Sequence, residues 1–133
     1  MMRPGARGFE FKLTAEADNV PIVRRALHAL LLPAGFPPDR VASIALATTE
    51  VCANVVRHAY PEGDPGVIRI EVSVTPDGQV TVVVGDHGIG FVRRGDLATA
   101  VGLGISEAIA SDLRIESGEV GTEVRMRFTG ATG

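Results

Sequence analysis

Phe9, Phe11 and Leu13 alternate with Glu10, Lys12 and Thr14. A period of two predicts a half-buried strand. Residues 1–8 hold two glycines, a proline and two arginines, and are expected to form a flexible N-terminus. After the strand the spacing turns helical, through Ile22, Ala26, Leu27, Leu30 and Leu31. Asp18 or Asn19 is placed to cap this helix, and Pro21 falls in its first turn. Gly35 and the pair Pro37–Pro38 close it and open the next. The second helix is predicted from about Pro38 to Ala59. Val41, Ile44, Ala45, Thr48, Cys52, Val55, Val56 and Ala59 share one wide face of it. Ser43, Glu50, Asn54 and Arg57 fall opposite, with His58 at the edge.

Residues 60–66 contain two prolines and two glycines and read as a loop. Ile68, Ile70, Val72 and Val74 then alternate with polar residues, Pro76-Asp77-Gly78 makes a turn, and Val80 to Val84 is nearly all β-branched. These two runs predict a hairpin. Three glycines lie within Gly85 to Gly90, and a polar segment, Arg93 to Thr99, follows. Gly102-Leu103-Gly104 precedes a short helix expected over Ile105 to Ser111. Leu113–Glu116 and Thr122–Phe128 predict a last hairpin around Gly118 and Gly121. The order β-α-α-β-β-loop-α-β-β predicts an α+β fold: a two-layer sandwich, with helices on one face of a mixed, mostly antiparallel sheet.

Composition narrows the picture. With 133 residues, 45% hydrophobic and 22% charged, the chain is expected to form one globular domain over 9–133. Thirteen Lys and Arg against sixteen Asp and Glu give a net charge of −3, which does not favour nucleic acid or an anionic membrane surface. A lone cysteine, Cys52, excludes an internal disulfide and fits a reducing compartment. No apolar run reaches the roughly 18 residues of a membrane span, and the first residues lack the apolar stretch of a signal peptide. A cytoplasmic location is expected.

Four constellations carry candidate chemistry. Glu50, Asn54 and His58 stand at i, i+4 and i+8, along one side of the second helix. A carboxylate there is a candidate general base, and an amide oxygen can ligate a hard cation such as Mg²⁺. The plain alternative is a solvated helix face. Asp86, with Gly88 and Gly90, follows a β-branched strand. Its carboxylate can accept a hydrogen bond from a base amino group while the glycines let backbone pass close to a ligand. The alternative is a Gly-rich turn. Gly102, Leu103 and Gly104 precede a helix, whose free N–H groups favour phosphate, or form only a flexible entry turn. Gly121-Thr122 starts the last strand, where a hydroxyl can assist purine recognition or simply belong to the strand. A P-loop lysine is absent here, and hairpins replace the β-α-β unit of a dinucleotide fold.

The order of these boxes is more telling than any one of them. Glu50 through Asn54 to His58-Ala59-Tyr60, then Asp86-His-Gly88-Ile-Gly90-Phe91, then Gly102-Leu-Gly104, then Gly121-Thr122 resembles the GHKL ATPase superfamily. The Glu-x-x-x-Asn-x-x-x-His-Ala-Tyr run looks like the anti-sigma factor serine-protein kinases of bacteria. The resemblance covers about Phe9 to Phe128 and implies the Bergerat fold. It implies that Asn54 ligates Mg²⁺ on the ATP phosphates, that Glu50 orients or deprotonates the attacking hydroxyl, and that Asp86 binds the adenine amino group. Gly88 and Gly90 would pass close to the base, Gly102, Leu103 and Gly104 would lie against the phosphates, and Thr122 would sit near the adenine. His58 matches the nucleotide-binding pattern, and Arg93 to Val101 would be a lid.

The function so implied is an ATP-dependent serine/threonine kinase that phosphorylates a STAS-type anti-sigma factor antagonist and sequesters a sigma factor, acting as a homodimer in transcription regulation under stress. The alternative is a non-catalytic ATP-binding, partner-switching module. Two departures stand out. Ala100 and Val101 precede Gly102 where some relatives carry a basic residue, so Arg93 and Arg94 are the nearest cations. Ser106 occupies a helix turn where relatives often carry an aliphatic side chain.

Overall fold

The computed structural model describes residues 7–58, 66–87, 104–118 and 121–129. The first strand, β1, spans Arg7–Thr14. Arg7 and Gly8 already stand opposite Val74 and Ser73, so two residues expected in the loose end belong to the sheet. Ladder pairing with the neighbouring strand, which side-chain alternation does not report, extends the element. A 3-10 turn, Ala17–Asn19, leads into helix α1, Val20–Leu31. Asn19 sits at the N-cap but makes no capping bond; its Nδ2 instead donates to Thr14 O at 2.8 Å. The preceding turn holds Asn19 at φ −88°, ψ −12°, whereas a capping residue is usually extended.

Helix α2 spans Pro38–His58. Strands β2, Val67–Val74, and β3, Val80–Asp86, follow. Helix α3 covers Gly104–Ile109, and β4, Asp112–Gly118, and β5, Gly121–Phe128, end the chain's described part. Helix α3 stops two residues short of expectation because Ser111 N donates to Arg127 O at 2.8 Å, drawing the chain into the sheet.

The sheet is β1-β2-β3-β5-β4, and every described pairing is antiparallel. Ile68, Ile70 and Val72 of β2, Val80, Val82 and Val84 of β3, and Val124, Met126 and Phe128 of β5 are buried. They share a core with Val23, Leu27 and Leu31 of α1 and Val41, Ile44, Val51 and Val55 of α2. The helices therefore cover one sheet face, and Arg69, Glu71, Glu123, Arg125 and Arg127 fall on the other by alternation. This is the expected α+β, two-layer architecture. Arg40 fastens the start of α2 to the sheet: its Nη2 donates to Gly78 O, Phe128 O and Thr129 O at 3.0, 3.1 and 2.8 Å. Its guanidinium also lies 5.0 Å over the Phe36 ring. Among the described residues no helix is long and apolar enough to cross a membrane.

Candidate nucleotide site

Only part of the polar side of α2 is a solvated face. Asn54 is 2% exposed and Glu50 is half-buried, while Ser43 and Arg57 are exposed. Ala47 and Val51, which the sequence pattern assigns to neither face, are buried too. At Glu50 the reason is tertiary: α3 packs against α2 and meets it there.

Ser106, in the first turn of α3, is the residue that closes this contact. Its backbone N–H donates to Glu50 Oε1 at 2.7 Å. Its hydroxyl lies 2.5 Å from the same oxygen and 2.7 Å from Ala47 O. Glu50 thus satisfies a free N–H at the start of α3 from a neighbouring helix, the task a capping side chain performs locally. In the linear chain Ser106 stands out only as a departure from the pattern of the relatives. Its partner lies 56 positions away, beyond the reach of any periodicity.

One turn beyond Glu50, Asn54 Nδ2 donates to Glu50 O at 3.0 Å. The amide is anchored through its nitrogen, so its oxygen is the end suited to a hard cation, which takes oxygen ligands. Among the described residues no three His, Cys, Asp or Glu side chains gather to cage a metal.

The other half of the site lies where β3 meets β5. Asp86 is the last residue of β3, not a loop residue after it. Thr122 stands directly opposite on β5. Asp86 is 7% and Thr122 3% exposed. By alternation both lie on the face that the helices cover, and α2 packs on β3. Gly121 brings the strands this close. It adopts φ +130°, and a Cβ there would fall 1.9 Å from Asp86 O. The structure therefore brings Glu50 and Asn54 together on α2 with the start of α3, and pairs Asp86 with Thr122 under the same helical layer. Gly104 begins α3 and is exposed. His58 ends α2. Gly88, Gly90, Gly102, Leu103 and the expected lid with Arg93 and Arg94 lie outside the described residues.

A cavity of about 670 Å³ opens at the other end of the fold, lined by Pro37, Arg40, Ser43, Ile109 and Phe128 among others. None of the expected site residues lines it. Cys52 is fully buried, and burial pushes its thiol up to about 12. It is a packing residue, as its place on the apolar stripe implies.

The family model of the histidine kinase-like ATPase domain matches residues 13–128. The serine-protein kinase RsbW of Bacillus subtilis (strain 168) is 32% identical over 90 residues, which cover 68% of this chain and 56% of that protein. The anti-sigma F factor of Clostridium botulinum (strain Eklund 17B / Type B) is 29% identical over 129 residues, 87% of this chain and 90% of that protein. Against the RsbW proteins of Bacillus subtilis and Bacillus cereus (strain AH187) the chain spans 56% and 50% of their length. Among solved structures, the RsbU and RsbW domains of Rv1364c from Mycobacterium tuberculosis superpose with a TM-score of 0.73 at 24% identity, covering 92% of this chain and 32% of that one. The histidine kinase domain of the Erythrobacter litoralis EL346 blue-light activated histidine kinase gives 0.57 at 20% identity, covering 84% and 59%. Both likenesses concern the fold.

Proposed function

The chain belongs to the histidine kinase-like ATPase domain family, and on that footing we propose that it is an ATP-dependent serine/threonine protein kinase of the anti-sigma factor type. Its substrate is a STAS-domain anti-sigma factor antagonist, and its second partner is a sigma factor that it sequesters as a cytoplasmic homodimer. The names of the relatives, serine-protein kinase and anti-sigma F factor, support this reading.

One observation carries the catalytic part. Glu50 presents a half-buried carboxylate one helical turn from the amide of Asn54, with one of its oxygens held by α3. Phosphoryl transfer needs positioning and charge neutralisation above all. In the proposed reaction Glu50 takes the proton of the substrate hydroxyl as that oxygen bonds to the γ-phosphorus, and the bond to the β-phosphate oxygen breaks to release ADP. Asp86 accepts from the adenine amino group, with Thr122 beside it. Asn54 would hold Mg²⁺ through its amide oxygen, and the ion would supply charge neutralisation for the phosphates. His58, Gly88, Gly90, Gly102, Leu103 and Gly104 complete the nucleotide contacts.

A second reading has its own footing, because Glu50 also has a structural duty at α3. The chain would then be a non-catalytic module that binds ATP and switches partners. Glu50→Gln separates the two, since glutamine keeps an oxygen for Ser106 and is no base. With γ-labelled ATP, Mg²⁺ and purified STAS-domain proteins, the kinase reading expects label on a Ser or Thr of the partner. Glu50→Gln is then expected to bind ATP as before and to lose all but a small residual rate of transfer. Absence of transfer by the wild type, with ATP-dependent partner binding unchanged in Glu50→Gln, establishes the module instead.

A further inference from the structure

Ser106 is fully buried, and both its donors converge on one oxygen. Its N–H and hydroxyl lie 2.7 and 2.5 Å from Glu50 Oε1. The hydroxyl oxygen is also tied to Ala47 O, 2.7 Å away and one turn before Glu50 on the same helix. A serine hydroxyl has one hydrogen and two lone pairs. Its one hydrogen serves one acceptor at a time, and the Glu50 carboxylate acting as a base is the stronger of the two. Ala47 O, at 2.7 Å, marks the other side of the hydroxyl. Among the described residues Glu50 Oε2 accepts no hydrogen bond.

We propose that Ser106 is a positioning residue for phosphoryl transfer: it saturates Oε1 of Glu50, fixes the plane of the carboxylate, and leaves Oε2 as the oxygen that receives the substrate proton. The proposal rests on the kinase reading above. A carboxylate on a flexible stem loses entropy when it must be aimed, and misplacement by about 1 Å can cost roughly 100-fold in rate. Two donors on one oxygen supply that aim before substrate arrives. They also link the base to the first turn of α3, directly after the Gly102-Leu103-Gly104 run.

The test compares Ser106→Ala, Ser106→Thr and Ser106→Val in the labelled-ATP assay with a STAS-domain protein, with thermal melts to confirm folding. Threonine and valine have nearly the same shape, so their difference isolates the hydroxyl whatever the extra methyl costs. Ser106→Ala and Ser106→Val are expected to lower kcat roughly 10- to 100-fold, the scale of one hydrogen bond to a charged group. KM for ATP should stay within about twofold, and Ser106→Thr should recover most of kcat relative to Ser106→Val. In a Glu50→Gln background, Ser106→Ala should lower the residual rate no further, because the two residues act as one unit. Equal kcat for the threonine and valine variants beside an active wild type overturns the role of Ser106 alone. A wild type that binds ATP and labels no partner removes the kinase reading, and this role with it.

Discussion

Gly121 and Asp86 approach so closely that a single added methyl group would strike backbone: a Cβ on Gly121 would lie 1.9 Å from Asp86 O and 2.8 Å from His87 Cα. At φ +130° a side chain would also be strained. Gly121→Ala is therefore expected to cost about 3 kcal/mol or more. Urea unfolding measures it. Gly85 is the contrast, since its Cβ would meet the tip of the Arg69 side chain, at 2.6 Å from Nη2. That tip can swing aside, giving up its 2.8 Å ion pair with Glu123, so Gly85→Ala should cost only about 1 kcal/mol. Equal losses would mean that steric contact at the end of β5 does not govern the pairing.

Asp86→Asn replaces a charged acceptor at the proposed adenine contact with a neutral amide that has one accepting oxygen and one donor nitrogen. Affinity for ATP and ADP is expected to fall at least about tenfold, with thermal stability little changed. Calorimetric titration with ATP checks this. Unaltered affinity would take Asp86 out of the base pocket.

Arg40 holds three carbonyls far from the proposed site. Arg40→Ala should destabilise the fold by about 2 kcal/mol, a shift in Tm of roughly 4–8 °C for a chain of this size. Nucleotide affinity at a temperature where the variant is folded should match the wild type. A melt unchanged from the wild type would show the clamp to be energetically idle.

Cys52 gives a pH signature. Its thiol is raised from 9.0 to about 12 by burial, so the unfolded chain releases that proton first. Stability contributed by the neutral thiol is complete below about pH 9 and declines as pH rises toward 12, at roughly 1.4 kcal/mol per pH unit. Denaturant titrations from pH 8 to 10.5 should show that decline, and Cys52→Ala should flatten it while lowering stability throughout. The native thiol should also resist alkylation at neutral pH.

Much of this protein is written locally. Alternation in β2 placed Ile68, Ile70 and Val72 on one face, where they are buried, because every second side chain of a strand meets the same face. The helical spacing placed Leu27, Leu31, Val41, Ile44 and Val55 in the core, where they are found. The i, i+4 relation of Glu50 and Asn54 follows from one turn of helix, and the order of the glycine-bearing boxes announced the family.

Contacts between distant segments settled the rest. Pairing with β2 drew Arg7 and Gly8 into β1, and pairing with β5 ended α3 early. The packing of α3 on α2 brought Ser106 onto Glu50 and turned that part of the polar face into an interior. Ser106, an oddity in the linear chain, became the partner of Glu50 across 56 positions. A helical wheel assumes water on the side without apolar residues. That assumption fails wherever another helix brings its own donors to the polar face, because buried polar groups are stable there once they are hydrogen-bonded.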